Sequence, residues 1–491
     1  MSVSERISEE AAAELPLAVD LDGTLIRSDL FIEGIVKLVF AQPWLVPSLL
    51  LWLTRGRAYA KKRIFEIFSV DAETLPYDQR LLAWLKQERS KGRTIVLASA
   101  CDRVAVETVA QHLGLFDAVF ASDGETNLKS AKKAQRLAEA FPQGFVYAGN
   151  EGADIEVWRA ARRAVVVNAS DTLAVRAKAE FDVEQQFPRD HGVIEAFVDA
   201  IRPQHWSKNV LVFLPMLVGQ AWMLPNAWFS AAVAFLALSL TASSVYLFND
   251  AADIEADRHH PRKHARPFAS GALPIHIGLA GAFVLLAVGL GLAAAFGLLQ
   301  LMLLYFAATA AYSFWLKRVV LLDVFVLASL YTIRIVMGGA ATGYLASDWL
   351  LAFSCFFFLS LALVKRVAET RALSERGGGD VGGRGYKSTD TQILTIMGVS
   401  AGFIASLVLA LYLQDETRAA LYTEPFLLWG LPAFTILWIC RVWLMVARGE
   451  MHDDPIVFAA RDRYSWLLAA AAALCFVAAA TVQVDFIPGV F

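Results

Sequence analysis

The sequence predicts two folds in one chain: a doubly wound α/β domain with a small helical cap over residues 1–168, then an all-α bundle of nine transmembrane helices over 196–491, with 169–195 as connector. Three observations carry that reading. Five short apolar runs (LAVDLD, TIVLASA, AVFASD, FVYAGN and AVVVN) alternate with amphipathic stretches between 17 and 168, the pattern of parallel strands separated by helices. From 209 onward, apolar runs of about 20 residues follow one another, the length that crosses a bilayer as a helix. Composition agrees: 57% of the 491 residues are hydrophobic and 19% charged, where soluble domains carry about 45–50% and ~25%.

The opening MSVSERISEEAAAEL is acidic and polar, so no secretory signal is read there and the N-terminus is expected in the cytoplasm. A net charge of -3 argues against a nucleic-acid binder. Cys101, Cys355, Cys440 and Cys475 lie far apart, which excludes a CxxC zinc site and a disulfide framework.

In a doubly wound sheet the chemistry gathers at the carboxyl ends of the strands. The first strand ends in Asp20-Leu21-Asp22-Gly23-Thr24, the second in Ser99, and the fourth in Gly149-Asn150-Glu151-Gly152-Ala153-Asp154. The cap covers about 30–80. Its apolar part, 30–53, is interrupted by Glu33, Lys37, Pro43 and Pro47, so two short helices joined at Gln42–Pro43 are expected rather than one span. They form either a buried pair or a pair lying on the bilayer surface. Trp44 and Trp52 favour the bilayer, and the basic GRAYAKKR that follows suits anionic headgroups.

Nine spans are expected, at 209–224, 226–248, 275–295, 297–315, 319–342, 348–364, 392–412, 424–446 and 464–485. A cytoplasmic N-terminus then puts the C-terminus outside. Loops on the cytoplasmic side hold 17 Lys or Arg and those opposite hold only Arg418, a positive-inside bias. The acid-rich sequence of this half lies on that same face, which places an active site in a cytoplasmic-facing cavity.

The second span ends in YLFNDAADIEADRHHPRKHARPFASG. Asp250, Asp253 and Asp257 fall at i, i+3 and i+7, one face of a helix, with Asn249 beside them. Converging carboxylates beside a substrate phosphate suit Mg²⁺, and Arg262, Lys263 and Arg266 supply cations for the phosphates. Lys208, Lys317, Arg318, Lys365 and Arg366 add positive charge on the same face. Arg334 lies deeper, in YTIRIVMGG. An intramembrane Arg is a functional candidate, with pairing to Asp323 as the alternative. The stretch GGGDVGGRG at 377–385 lacks the Lys-Ser/Thr of a P-loop and reads as a loop or lid.

The acid-rich motif and the nine spans resemble the UbiA superfamily of intramembrane transferases, over about 200–485. Arg202-Pro203-Gln204-His205-Trp206-Ser207-Lys208-Asn209, HPRKHARP, the segment Lys365 to Thr370, the turn Arg384–Tyr386 and DDPIVFAARDR at 453–463 are most similar to its decaprenyl-phosphate phosphoribosyltransferase branch. A second DxxxD motif is missing; YSFWLKRVVLLD offers only Asp323. The resemblance implies Mg²⁺ on Asp250, Asp253 and Asp257, phosphoribosyl pyrophosphate as donor and a polyprenyl phosphate lipid as acceptor. Substrate contacts would come from Lys208, Asn249, Lys263, Arg266, Lys317, Asp323, Arg334, Lys365 and Arg366. A homo-oligomer is compatible with it.

The N-terminal domain resembles the haloacid dehalogenase (HAD) superfamily in its phosphatase branch. That implies Asp20 as nucleophile and Asp22 as general acid–base, with Thr24, Ser99 and a lysine on the phosphate. Lys133 fits best and Lys129 is the second choice. Mg²⁺ would rest on Asp20, the carbonyl of Asp22, Asn150 and Asp154. Asn150 stands where an Asp is expected, which removes a charge from the metal site.

The two resemblances together imply an enzyme of the inner membrane that makes a polyprenyl-phosphoryl 5-phosphoribose, whose HAD domain removes the 5-phosphate. The alternative is prenyl transfer from a prenyl diphosphate to an aromatic or other acceptor, with a non-catalytic HAD domain. A transporter would place acids inside the spans, and this sequence places them on one face.

Overall fold

The computed structural model describes residues 15–190, 192–375, 385–414, 422–451 and 455–482. The acidic leader 1–14, most of the Gly-rich stretch 377–385, Arg418, residues 453–454 and the end of the last span lie outside them. Two compact units emerge: residues 1–202 with 246–283, and 203–245 with 284–491.

The first unit is built on a parallel six-stranded sheet: β1 (Leu17–Val19), β2 (Ile95–Asp102), β3 (Ala118–Ser122), β4 (Val146–Gly149), β5 (Arg163–Val167) and β6 (Val183–Phe187), in the order β3-β2-β1-β4-β5-β6. The five strands read from sequence all form. The sixth corrects the connector: 169–187 carry a helix, Asp171–Glu180, and β6, which pairs with β5. VEQQF was passed over because it is a polar edge strand with one buried residue. The chain crosses from β3 to β4 on the far side of β1, so the crevice beyond β1 and β4 is the topological switch point, where ligands bind in open α/β sheets.

The cap forms as two helices. Asp29 caps the first, Leu30–Ala41, by accepting from the Phe31 and Ile32 amides. After Pro43 the chain bends by 115° into the next, which ends at Thr54. Trp44 is exposed, but Trp52 is buried with Leu38, Leu49 and Ile64, which corrects its placement at an interface: its ring packs inward beneath the Arg63 guanidinium.

The nine expected spans do not all appear as spanning helices. Among the described residues, seven helices are long and apolar enough to cross a membrane, from Pro225–Ala252 to Arg463–Thr481. Helix Leu299–Phe314 is apolar but shorter, split from its predecessor at Gly297, whose φ of +71° ends the run. The first expected span, 209–224, is a 3₁₀ stretch, Pro203–Phe213, then the five-residue helix Leu214–Val218 and a further 3₁₀ turn. Pro215 and Gly219 interrupt it, and an added Cβ at Gly219 would meet the Tyr344 ring at 2.7 Å.

Candidate functional site

At the end of β1, the Asp20 carboxylate accepts from Lys133 Nζ at 2.8 Å, and both side chains are buried. Helix Ala131–Ala140 delivers Lys133, whereas Lys129 pairs with Glu151 at the surface. Lys133 also donates to the Tyr147 hydroxyl at 2.8 Å, and that hydroxyl donates to Asp154 at 2.8 Å. Burial pushes Asp20 up to about 6 against the pull of Lys133. Asp22 is raised further by burial and by Asp29. Asp22 accepts from the Leu30 amide at 2.9 Å, and its other oxygen is 3.5 Å from the Ser99 hydroxyl. Thr24 donates to Asn150 Oδ1 at 3.1 Å. Gly23 has φ +75°, and an added Cβ would fall 2.2 Å from Asn150 Nδ2, so only glycine lets these two loops close together.

The structure thus brings Asp20, Asp22, Lys133 and Asn150 to one cavity, while Thr24 and Ser99 are buried behind them, bonded to Asn150 and Asp22. Asp154 lines the same cavity. Its oxygens accept from the Asn150 and Glu151 amides and from Tyr147, so it also shapes the β4 loop. Tyr147 was missed because it reads as one apolar residue in FVYAGN.

The acid-rich segment belongs to the same unit. The helix stops at Ala252 and restarts at Ile254, with Asp253 between them, so a continuous acidic helix face is corrected to a broken one. Hydrogen bonds from Asp253 N to Asn249 O (2.9 Å) and from Asp257 N to Asp253 O (2.8 Å) keep the carboxylates one turn apart. The Arg266 guanidinium bridges Asp250 (3.1 Å) and Asp257 (2.6 Å). Arg202 donates to both oxygens of Asp250 and lies over the Tyr246 ring. The sequence names Arg202 only as the start of the RPQHWSKN run and gives no sign of this pairing, which spans 48 residues and is made from a helix C-cap at φ +53°. Asn249 donates to Asp253 at 3.1 Å, and Lys263 stands 4.0 Å from Asp257. Burial raises the Asp257 carboxyl above its ordinary range.

In the second unit Asp323 and Arg366 are fully buried and 2.8 Å apart. Tyr386 donates to Asp323 and Arg366 donates to Glu369. Each is engaged inside the protein. Arg334 does not pair with Asp323. It donates to Asn209 (2.7 Å), the Leu330 carbonyl (2.5 Å) and the Tyr305 hydroxyl (2.9 Å). It is 7% exposed, a cation held by neutral groups. Lys208 lies 6.0 Å from the centre of the Tyr331 ring. Lys317 and Lys365 both keep partners.

Among the described residues no three His, Cys, Asp or Glu side chains converge as a ready metal site. The donors nonetheless suit Mg²⁺, which takes one or two carboxylates and completes its shell with substrate phosphates and water. Asp20 and Asn150 in one place, and Asp250, Asp253 and Asp257 in the other, offer hard oxygens of that kind.

A model of the UbiA prenyltransferase family matches residues 212–466. The chain belongs to that family. It is a multi-pass membrane protein, and its membrane half is a UbiA transferase. A Sinorhizobium fredii protein, y4nM, is 38% identical over 95% of this chain and 91% of its own length. The decaprenyl-phosphate phosphoribosyltransferase of Mycobacterium tuberculosis is 34% identical over 59% of this chain and 95% of its own length. Among solved structures, a UbiA homolog from Archaeoglobus fulgidus bound to GPP and Mg²⁺ covers 57% of this chain and 97% of its own, at 14% identity and a TM-score of 0.45.

Proposed function

We propose that this UbiA member moves 5-phosphoribose from phosphoribosyl pyrophosphate to a polyprenyl phosphate at the inner membrane, and that its α/β domain is a cytoplasmic HAD phosphatase acting on the product. The observation that carries the transfer is the likeness to decaprenyl-phosphate phosphoribosyltransferase across nearly all of that relative's length. The charges fit the chemistry. A lipid phosphate oxygen attacks ribose C1, the C1–O bond to diphosphate breaks, and diphosphate leaves with its electrons. An ionised phosphate needs no base, so the protein's task is charge stabilisation. Bound Mg²⁺ would neutralise the departing diphosphate. Asp250, Asp253 and Asp257 would hold the metal, while Arg266, Arg202 and Lys263 line up beside them for phosphate oxygens. Arg334, buried among neutral partners, would be a further cation for an anionic substrate.

For the phosphatase, the Asp20 carboxylate attacks phosphorus and the bond to ribose O5 breaks. Asp22, whose carboxyl burial pushes well above its ordinary range, donates its proton to O5. It then takes a proton from the water that hydrolyses the aspartyl-phosphate, releasing phosphate. Lys133 orients and neutralises the transferred group. Mg²⁺ would be held by Asp20, the Asp22 carbonyl and Asn150.

Membranes given labelled phosphoribosyl pyrophosphate or labelled prenyl diphosphate test the reading. Phosphoribosyl label is expected in lipid, and Asp20→Asn should leave that transfer intact while the 5-phosphorylated lipid accumulates. Label entering only from prenyl diphosphate overturns the donor and establishes prenyl transfer. Identical lipid products from wild type and Asp20→Asn overturn the phosphatase.

A further inference from the structure

The cavity at the end of β1 is not walled by the α/β fold alone. It measures about 470 Å³, and its lining runs from Asp20, Lys133 and Asn150 to Gly271, Pro274 and Ile275. Those last residues come from the segment that follows the acid-rich loop and opens helix Ile275–Ala295, one of the seven long enough and apolar enough to cross a membrane. The wall is locked in place. Gly271, at φ +74°, packs so closely that an added Cβ would fall 2.3 Å from the Arg27 carbonyl oxygen. Arg258 donates to the Ala269 carbonyl (3.1 Å) and to both oxygens of Glu33 (3.0 and 2.6 Å). Lys37 pairs with Glu255 at 2.6 Å. The cap and the 255–276 segment therefore form one mouth.

The lining of that mouth combines phosphate-handling polar groups with apolar residues of the cap and of the 271–275 segment. Asp20, Lys133 and Asn150 handle a phosphate. Phe31 and Ile32 of the cap face the same cavity as Pro274 and Ile275. A pocket of this size holds one small ligand and cannot also enclose a chain that reaches into a ~30 Å hydrocarbon layer. Ile275 begins a membrane-crossing helix, and the neighbouring cap exposes Trp44, Leu50 and Leu51, the residue types that settle at a bilayer interface. The apolar part of the lining is therefore continuous in sequence with a helix long and apolar enough to cross a membrane.

We propose that this pocket takes a sugar phosphomonoester still attached to a membrane lipid: the phosphomonoester sits on Asp20 and the first prenyl carbons leave between Ile32 and Pro274. The proposal rests on the phosphatase reading above and adds the route and the anchored state of the substrate. Hydrolysis needs only water as co-reactant, and the products are the dephosphorylated lipid-linked sugar and inorganic phosphate.

The test uses the full chain in phospholipid nanodiscs with three probes: ribose 5-phosphate, p-nitrophenyl phosphate and synthetic farnesyl-phosphoryl 5-phosphoribose. Phosphate release from the farnesyl compound should exceed that from ribose 5-phosphate in kcat/KM by about tenfold or more, since several CH₂ groups are buried at the exit. Ile32→Asp and Pro274→Asp should each collapse that ratio, with Ile32→Leu restoring it and thermal melting showing which variants fold. A wild-type ratio near one, with soluble substrates hydrolysed, overturns the lipid route and leaves the phosphatase standing. A high ratio untouched by both Asp variants overturns the exit. No phosphate release from any probe, in wild type as in Asp20→Asn, overturns the phosphatase and this proposal with it.

Discussion

Arg258 and Glu33, 225 residues apart, meet through two hydrogen bonds of 3.0 and 2.6 Å, with side chains only 5% and 17% exposed. One belongs to the short helix that also carries Asp257, the other to the cap over the Asp20 pocket. Removing one partner leaves a buried charge without its counter-ion, which costs about 3–5 kcal/mol. Glu33→Ala and Arg258→Ala should therefore each lower the melting temperature and speed amide exchange over 30–41 and 254–259. The apolar pair Glu33→Leu with Arg258→Met should recover most of the loss, because isosteric replacement of a buried ion pair is near neutral. Single variants that cost no more than an exposed pair, below about 1 kcal/mol, contradict the lock.

The Arg266 bridge sets the second expectation. Asp250 and Asp257 are both buried and share that guanidinium. Asp250→Asn keeps the shape and removes one charge. Transfer should fall by about a hundredfold or more, the scale of removing one group that stabilises transition-state charge. The Mg²⁺ concentration for half-maximal rate should rise with it. Transfer that keeps its rate and metal dependence in both Asp250→Asn and Asp253→Asn removes the acidic segment from the chemistry.

What could be read from sequence follows the range of the interaction. β1 to β5 were legible because each is a short apolar run between amphipathic stretches, and Pro43 marked the break in the cap. β6 was not, since VEQQF pairs through its backbone and buries little. The motif residues Asp20, Asp22, Asp250 and Asp257 announce themselves by spacing. Lys133, 113 residues from Asp20, is reached only through the HAD resemblance, and nothing in the spacing pairs Arg202 with Asp250 across 48 residues. Asp323 looked like the remnant of a second acidic motif, and only packing shows that Arg366 and Tyr386 occupy it. Apolarity alone proposed a span at 209–224, where Pro215 and Gly219 divide the chain into short turns.

Arg334 offers a clean distinction between scaffold and ligand. Its partners, Asn209, Tyr305 and the Leu330 carbonyl, are neutral, and two tyrosine rings lie 5.2 and 5.4 Å from its guanidinium. Among the described residues it makes no ion pair. Arg334→Lys should raise the KM of an anionic substrate about tenfold, because an ammonium does not reproduce the planar fork. A drop in thermal stability with unchanged KM and kcat assigns it to the scaffold instead.

The raised Asp20 carboxyl has a definite sign. Its value of about 6 in the folded protein exceeds the ordinary 3.8, so the folded state binds the proton more tightly. The resulting stability is complete below pH ~4 and is lost as pH rises through about 6. Asp22 is displaced in the same direction by burial. In EDTA, the melting temperature of the wild-type chain should fall between pH 4 and 6.5, and Asp20→Asn should flatten the curve. Excess Mg²⁺ should oppose the fall at the upper end, since it binds the ionised carboxylate. A wild-type curve that rises across this window refutes the assignment.

Asn150 carries the last expectation. It occupies the end of β4 beside Asp20, accepts a hydrogen bond from Thr24, and leaves no room for a side chain at Gly23. An amide oxygen ligates Mg²⁺ without contributing charge, so this site should need more metal than one with a third carboxylate. Asn150→Asp is nearly isosteric, and its oxygens can still accept from Thr24. The variant should reach half-maximal phosphatase rate at about a tenth of the wild-type Mg²⁺ concentration, a change worth about 1.4 kcal/mol in metal binding. Added negative charge also works against the incoming phosphate, so KM for the phosphomonoester should rise while the metal requirement falls. Phosphoribosyl transfer in the same preparation should not change. If the Mg²⁺ requirement of Asn150→Asp equals that of the wild type, the β4 loop does not hold the metal, and the resemblance that placed it there fails at this residue.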